Sequence, residues 1–200
     1  MVLLHLVSAS DAPVDCSGTI IATRAVLTAG HCVRDAVAGR VALGTGVEVS
    51  ITAMAAAPAY VADPNSPEDV GVMLVGQDLP RPPVPLLFSR GVRVGESAVI
   101  AGWGAEGNNI NSGVLRAAMT TVSAVTDFIE SDFGVSPGQV CPGDSGGALL
   151  VSEAGVWTLA GVVSGGSASA CNKGQSFYSI VRNPDVLAFI LNLVPGAIRR

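Results

Sequence analysis

The chain has 200 residues, enough for one large domain or two small ones with a buried core, and only 14% of them are charged against 49% hydrophobic. That balance, together with 24 glycines, excludes a disordered chain and indicates a compact, turn-rich globule. A formal net charge of −5, a single lysine (Lys173) and the lack of any basic cluster exclude nucleic acid as an expected partner.

Taken from the start, MVLLHLVSASDA has the outline of a signal peptide, but it lacks a basic beginning and its apolar run is barely long enough. It reads instead as a strand that follows missing upstream chain, with His5 at an edge or on the surface. Short β-rich runs bounded by turns then recur: GTIIAT, AVLTAG, VEVSITAMA, VGVMLV, SAVIAGWG, VLRAAMTTVSAV, GALLV and VWTLAGVVS. In the third of these Val47, Val49 and Ile51 alternate with Glu48, Ser50 and Thr52, the period of a half-buried strand. The spacing predicts an all-β barrel or sandwich rather than βαβ units. DLPRPPVPL, residues 78–86, holds four prolines in nine positions and predicts an extended linker between two halves. After RNPD the period changes: Val186, Phe189, Ile190 and Leu193 fall on one helical face, with Pro184 in the first turn. The organisation predicted is a β-barrel over 1–82, a second over 83–183, and a helix and tail over 184–200, forming one unit. Even the most apolar stretches, such as VLAFILNLV, fall short of the roughly 18 residues of a membrane span, so no membrane partner is expected.

Four cysteines, Cys16, Cys32, Cys141 and Cys171, permit three pairings. None lies in a C-x-x-C, so no zinc site is expected even with His31 beside Cys32. Free buried cysteines are one reading. Sequential pairing is another, closing loops worth about 3 and 3.5 kcal/mol in the chain-entropy model. It would put the chain in an oxidising, extracytoplasmic setting, whereas reduced thiols leave a cytoplasmic location open.

The stretch QVCPGDSGGALL, residues 139–150, is either a tight turn before a strand or a nucleophile elbow whose glycines let backbone N–H groups face a pocket beside Ser145. A serine hydroxyl becomes a useful nucleophile when a base takes its proton, and histidine suits that task near neutral pH. The chain offers only His5 and His31, and His31 ends the apolar strand of AVLTAGHC. An α/β-hydrolase needs Ser, then acid, then His, and no histidine follows Ser145. The order His, Asp, Ser is that of another group of serine hydrolases, and in it the acid lies between His31 and Ser145. In SPEDVGVMLV, Asp69 stands immediately before an apolar strand and is the expected acid, while Asp63, Glu68 and Asp78 read as solvent-facing loop acids.

CSGTIIATRAVLTAGHC resembles the segment around the catalytic histidine of trypsin-like serine proteases, including its bracing cysteine pair. EDVGVMLV is similar to the strand after their catalytic aspartate, AGWG to a strand end, CPGDSGGAL to the nucleophile loop and GVVSGGSASAC to the strand that pairs with substrate. These five motifs occur in the family's order, and the resemblance runs from about residue 2 to about residue 194. It implies two six-stranded antiparallel β-barrels with a C-terminal helix, in a secreted, bacterial member of the trypsin/chymotrypsin-like group.

The resemblance further implies that Ser145 attacks the scissile carbonyl, His31 is general base and then general acid, and Asp69 orients His31. The N–H groups of Gly143 and Ser145 would form the oxyanion hole. Ser164 would support Asp69, and Ser164, Gly165 and Gly166 would bind substrate as an added strand. Gln139 takes the pocket-floor position where trypsin has an aspartate, and Gly166 and Ser176 line the walls, so an uncharged P1 residue is expected. All four cysteines would form disulfides. No cofactor and no metal are expected; the partners are a protein or peptide substrate and a protein inhibitor, the state a monomer, and the location secreted or periplasmic. A catalytically inert homologue that binds partners through the barrel surface is the competing reading, opposed by the intact His31, Asp69 and Ser145.

In the family Asp144 pairs with an α-amino group freed on zymogen cleavage, and nothing in MVLLHLVSAS resembles that segment. Asp144 is therefore expected to turn outward or to find a substitute donor, leaving the Gly143 N–H misaimed and this form zymogen-like.

Overall fold

The computed structural model describes the whole chain except residues 64–65, 107–112, 136–137, 169–170 and 172. Period-two apolar patterning sets the first strand, β1 (Val2–Ser8), which buries Val2, Leu4 and Leu6 and leaves His5 outside. β2 (Pro13–Ala22), β3 (Ala25–Thr28), β4 (Ala36–Ala42), β5 (Glu48–Ala56) and β6 (Gly71–Val75) follow, with a one-turn helix α1 (Gly30–Val33) between β3 and β4. They close an antiparallel barrel in the order β1-β2-β3-β6-β5-β4. The second half consists of β7 (Ser97–Gly102), β8 (Arg116–Val125), β9 (Phe128–Asp132), β10 (Ala148–Glu153), β11 (Val156–Gly166) and β12 (Gln175–Ile180). These close a second barrel in the order β10-β11-β12-β9-β8-β7, and α2 (Pro184–Leu193) follows.

Each barrel encloses its own core. Leu4, Leu6, Ile20, Val41 and Met73 pack together in the first, and Ile129, Leu149, Val151 and Tyr178 in the second. A third cluster forms the seam: Ile21, Leu27 and Val72 meet Leu86, Leu159 and Val162, with Val186 and Ile190 of α2 against them. A fully buried side chain of this size contributes about 1.5–3 kcal/mol. The seam explains why GTIIAT is continuously apolar, since β2 is buried on both faces from Cys16 to Ile21. That strand faces the first core on one side and the second barrel on the other.

The Pro-rich segment runs extended and is stitched to both halves, with Val84 N–H donating to Ile20 O at 2.8 Å and Leu87 N–H to Leu159 O at 2.9 Å. α2 begins where expected. Asn183 caps it by accepting from Asp185 N–H at 3.0 Å, Pro184 opens it, and Val186 and Ile190 are buried with Phe189 and Leu193 half-buried.

Three strands have no counterpart among the predicted runs. β4 buries only Val41 fully, β9 carries two carboxylates, and β12 turns Ser176 and Ser179 inward, so none shows an apolar alternation. Two local readings are corrected. His31 sits in α1 rather than at a strand end, and Val47 lies exposed before β5, which begins at Glu48 with Val49 as its first buried residue. Among the described residues no helix is long and apolar enough to cross a membrane.

Candidate active site

Asp69 lies two residues before β6 and is almost fully buried, 4% exposed, so its carboxylate needs partners. It has three. His31 N–H donates to Oδ1 at 2.8 Å, His31 Nδ1 lies 2.7 Å from Oδ2, and Ser164 Oγ donates to the same oxygen at 2.6 Å. An ionised carboxylate only accepts, so Nδ1 carries the ring hydrogen and Nε2 keeps its lone pair, the arrangement of a general base. α1 can approach this closely because Gly30 has no Cβ: one built there would stand 3.1 Å from Asp69 Oδ1 and from the Tyr60 ring. The disulfide between Cys16 and Cys32 ties α1 to β2.

The Ser145 loop is a turn of fixed type. Asp144 N–H donates to Cys141 O at 3.0 Å, and Gly143 has φ 91° behind Pro142. Positive φ at the third residue with proline at the second defines a type II turn, which favours glycine at that position. Pro142 O accepts from Ala105 N–H at 2.9 Å, so in a trans peptide the Gly143 N–H points to the opposite side. Gly146 also has positive φ, and a Cβ there would collide with Thr28 Oγ1 and Ser17 O. Among the described residues neither the Gly143 N–H nor the Ser145 N–H donates to any acceptor, while Gly146 and Gly147 donate to Val163 O and Asp144 O. Two unused donors therefore flank Ser145. Its carbonyl lies 4.0 Å from Cys32 Sγ, which brings the loop beside α1, but no hydrogen bond joins Ser145 Oγ to the His31 ring. Such contacts often tighten only with substrate bound.

Asp144 faces inward. Its Oδ1 accepts from Gly104 N–H at 2.8 Å and its Oδ2 from Cys141 N–H at 2.9 Å, and among the described residues it has no ion-pair partner. Both donors are backbone N–H groups, so the carboxylate turns inward rather than outward. Burial pushes its pKa up, opposed by the two backbone donors and by the charge of Arg116. A cavity of about 260 Å³ lies beside it, lined among others by Gln139, Gly104, Glu106 and Arg116.

Gln139 and Ser176 are brought together. Ser176 is fully buried, accepts from Val140 N–H at 3.3 Å and donates to Gln139 Oε1, whereas Gln139 Nε2 is buried with no partner among the described residues. Gly166 pairs with Ser176, and Gly165 with Phe177, where β11 meets β12. A separate cleft of about 580 Å³ runs along His31, Asp69, Ser164, Gly165, Tyr60 and Phe177. Gln139 and Ser145 do not line it. The second disulfide joins Cys141 and Cys171. Cys16, His31 and Cys32 are close enough to suggest a metal triad, but both sulfurs are spent in the disulfide and neither is a thiolate.

Ser17, Tyr60 and Phe177 were not singled out in the sequence. A serine between a cysteine and a glycine in a strand carries no motif, and the two aromatics lie outside the five recognised segments.

A model of the trypsin family, described as "Trypsin", matches residues 3–189. Chymotrypsin of Phaedon cochleariae is 28% identical over 87% of this chain and 71% of its own length. Vitamin K-dependent protein C of Rattus norvegicus is 27% identical over 76% of this chain but only 40% of its own, so the chain spans less than half of that relative. Among solved structures, a protein titled HL collagenase superposes with a TM-score of 0.82 at 23% identity, covering 97% of this chain and 92% of its own, a likeness of fold. With the family model spanning nearly all of its length, the chain belongs to the trypsin family.

Proposed function

We propose that the chain is a serine endopeptidase working through His31, Asp69 and Ser145. Ser145 Oγ attacks the carbonyl carbon of the scissile bond while His31 Nε2 takes its proton. Asp69 stabilises the imidazolium, and the N–H groups of Gly143 and Ser145 take the negative oxygen of the tetrahedral intermediate. His31 then gives the proton to the leaving amine, forming an acyl-enzyme on Ser145, and water reverses the sequence. The observation that carries this reading is the Asp69 carboxylate holding His31 by backbone and ring at 2.8 and 2.7 Å. The unused N–H groups beside Ser145 support it from the other side.

The substrate is a protein or peptide, and a protein inhibitor is the other expected partner. An uncharged P1 residue is favoured because Gln139 puts an amide, not a carboxylate, at the pocket-floor position. The paired cysteines support an extracytoplasmic setting, secreted or periplasmic. The peptidase unit divides as 1–82, 83–183 and 184–200 and acts as a monomer. A zymogen-like state is a further part of the proposal, supported by an Asp144 carboxylate that has two backbone donors and, among the described residues, no ion-pair partner.

Hydrolysis of a peptide amide with a neutral P1 residue tests the reading. The parent chain should cleave it, and Ser145→Ala and His31→Ala should each lose on the order of 10⁶ in turnover without the losses adding. Cleavage by Ser145→Ala at the parent rate would exclude the triad.

A further inference from the structure

Ser17 takes no part in the triad, yet every polar atom it has is used, and three of its four hydrogen bonds lead out of the first barrel. It is fully buried in β2, next to the cysteine that anchors α1. Its N–H donates to Ser145 O at 2.8 Å, and its carbonyl accepts from Thr28 Oγ1 at 2.8 Å. Its hydroxyl oxygen accepts from Trp103 N–H at 2.8 Å, and its single hydroxyl hydrogen goes to Gly143 O at 2.9 Å.

The last bond bears on the neighbouring donor. A glycine reaches both signs of φ easily, so the turn over Cys141–Asp144 could adopt type I, with negative φ at Gly143, as well as type II. The two differ by a flip of the Pro142–Gly143 peptide, which reverses the Gly143 N–H. Ala105 N–H holds the carbonyl of that peptide from one side, and the Ser17 hydroxyl holds the next carbonyl from the other. With both pinned, Gly143 stays at φ 91° and its N–H keeps one direction.

We infer that Ser17 is a positioning residue for the Gly143 N–H: its hydroxyl, oriented by Trp103 N–H, holds the Gly143 carbonyl and keeps the nucleophile loop in the type II turn. This rests on the reading of Gly143 as an oxyanion donor. The same strand thus aligns the base, through the Cys16–Cys32 bridge, and the oxyanion donor, through the next side chain. Because the hydroxyl is fully buried, its removal leaves two unpaired groups, Trp103 N–H and Gly143 O.

The test compares Ser17→Ala and Ser17→Thr with the parent, using kcat and KM on a neutral-P1 peptide amide and the affinity for a peptide aldehyde of the same sequence. The aldehyde forms a tetrahedral adduct with the serine and reads the oxyanion site. Rates are taken per active site counted by burst titration, which removes any loss of folded protein. Ser17→Ala should lower kcat roughly 10- to 100-fold, the scale of a misplaced or lost oxyanion donor, and leave KM within about twofold. Aldehyde affinity should fall in step with kcat/KM, and Ser17→Thr, which keeps the hydroxyl, should recover most of both. If Ser17→Ala does not fold, Ser17→Gly, which leaves room for a water, is measured in its place against the same expectation. An unchanged kcat per site, or a loss confined to KM or to the number of sites, overturns the positioning role. A parent chain that neither cleaves the peptide nor binds the aldehyde overturns the endopeptidase reading instead.

Discussion

Replacing Asp69 by asparagine alters the site by one atom and one charge, and the structure says where each goes. Oδ1 accepts from the backbone N–H of His31 at 2.8 Å, a donor that cannot be turned away, so the asparagine oxygen must occupy that place. The amide nitrogen then stands where Oδ2 was, facing His31 Nδ1 at about the same 2.7 Å and the Ser164 hydroxyl. An NH₂ group can only donate, so Nδ1 must become an acceptor and the ring hydrogen moves to Nε2. The base has then lost the lone pair it needs, and the imidazolium has lost its counter-charge. Turnover should fall about 10⁴-fold, the loss known when this tautomer is reversed, or roughly 5.4 kcal/mol of transition-state stabilisation. Volume and backbone are unchanged, so the fold should persist. The assay is kcat on a peptide amide at neutral pH, with ring ¹⁵N shifts of His31 reporting the tautomer. An asparagine variant within tenfold of the parent, or one that keeps its hydrogen on Nδ1, would refute this reasoning.

Asp144 carries a pH signature. Its carboxyl is pushed up by burial, so its contribution to stability is fully present below the unfolded-chain value and is lost as pH rises through the higher native one. On acidification from about pH 7 to about pH 4, the parent should gain melting temperature relative to Asp144→Asn; a relative loss would show that the carboxylate is well compensated when charged. Gln139→Asp should shift P1 preference toward Arg and Lys, because the amide that meets Ser176 becomes a fixed negative charge. A peptide-library profile of the parent already dominated by basic P1 residues would contradict the neutral pocket.

What could be read from the sequence follows from what the residues must do. His31, Asp69 and Ser145, the proposed triad, sit in glycine- and cysteine-bearing segments whose residue types answer to close backbone approach, and such segments are recognisable in isolation. α2 was equally legible, since its cap, proline and apolar stripe are local. β4, β9 and β12 were not. Their inward positions include Ser131, Ser176 and Ser179, and the partners found lie far along the chain, Tyr178 for Ser131 at 3.0 Å and Gln139 for Ser176. Ser17 lies further from view still. Its hydroxyl partner is 126 residues away, and no local pattern marks a serine for such a bond. The inward fate of Asp144 likewise depends on two backbone donors, one of them forty residues distant.

The central claim is that Ser145 is a nucleophile made reactive by His31. Reaction of the native chain with a fluorophosphonate, followed by peptide mass mapping, tests it most directly. A single adduct on Ser145, formed in the parent and lost in His31→Ala and in denatured protein, is the expected result. No adduct on the folded parent, or one formed at the same rate without His31, would contradict it.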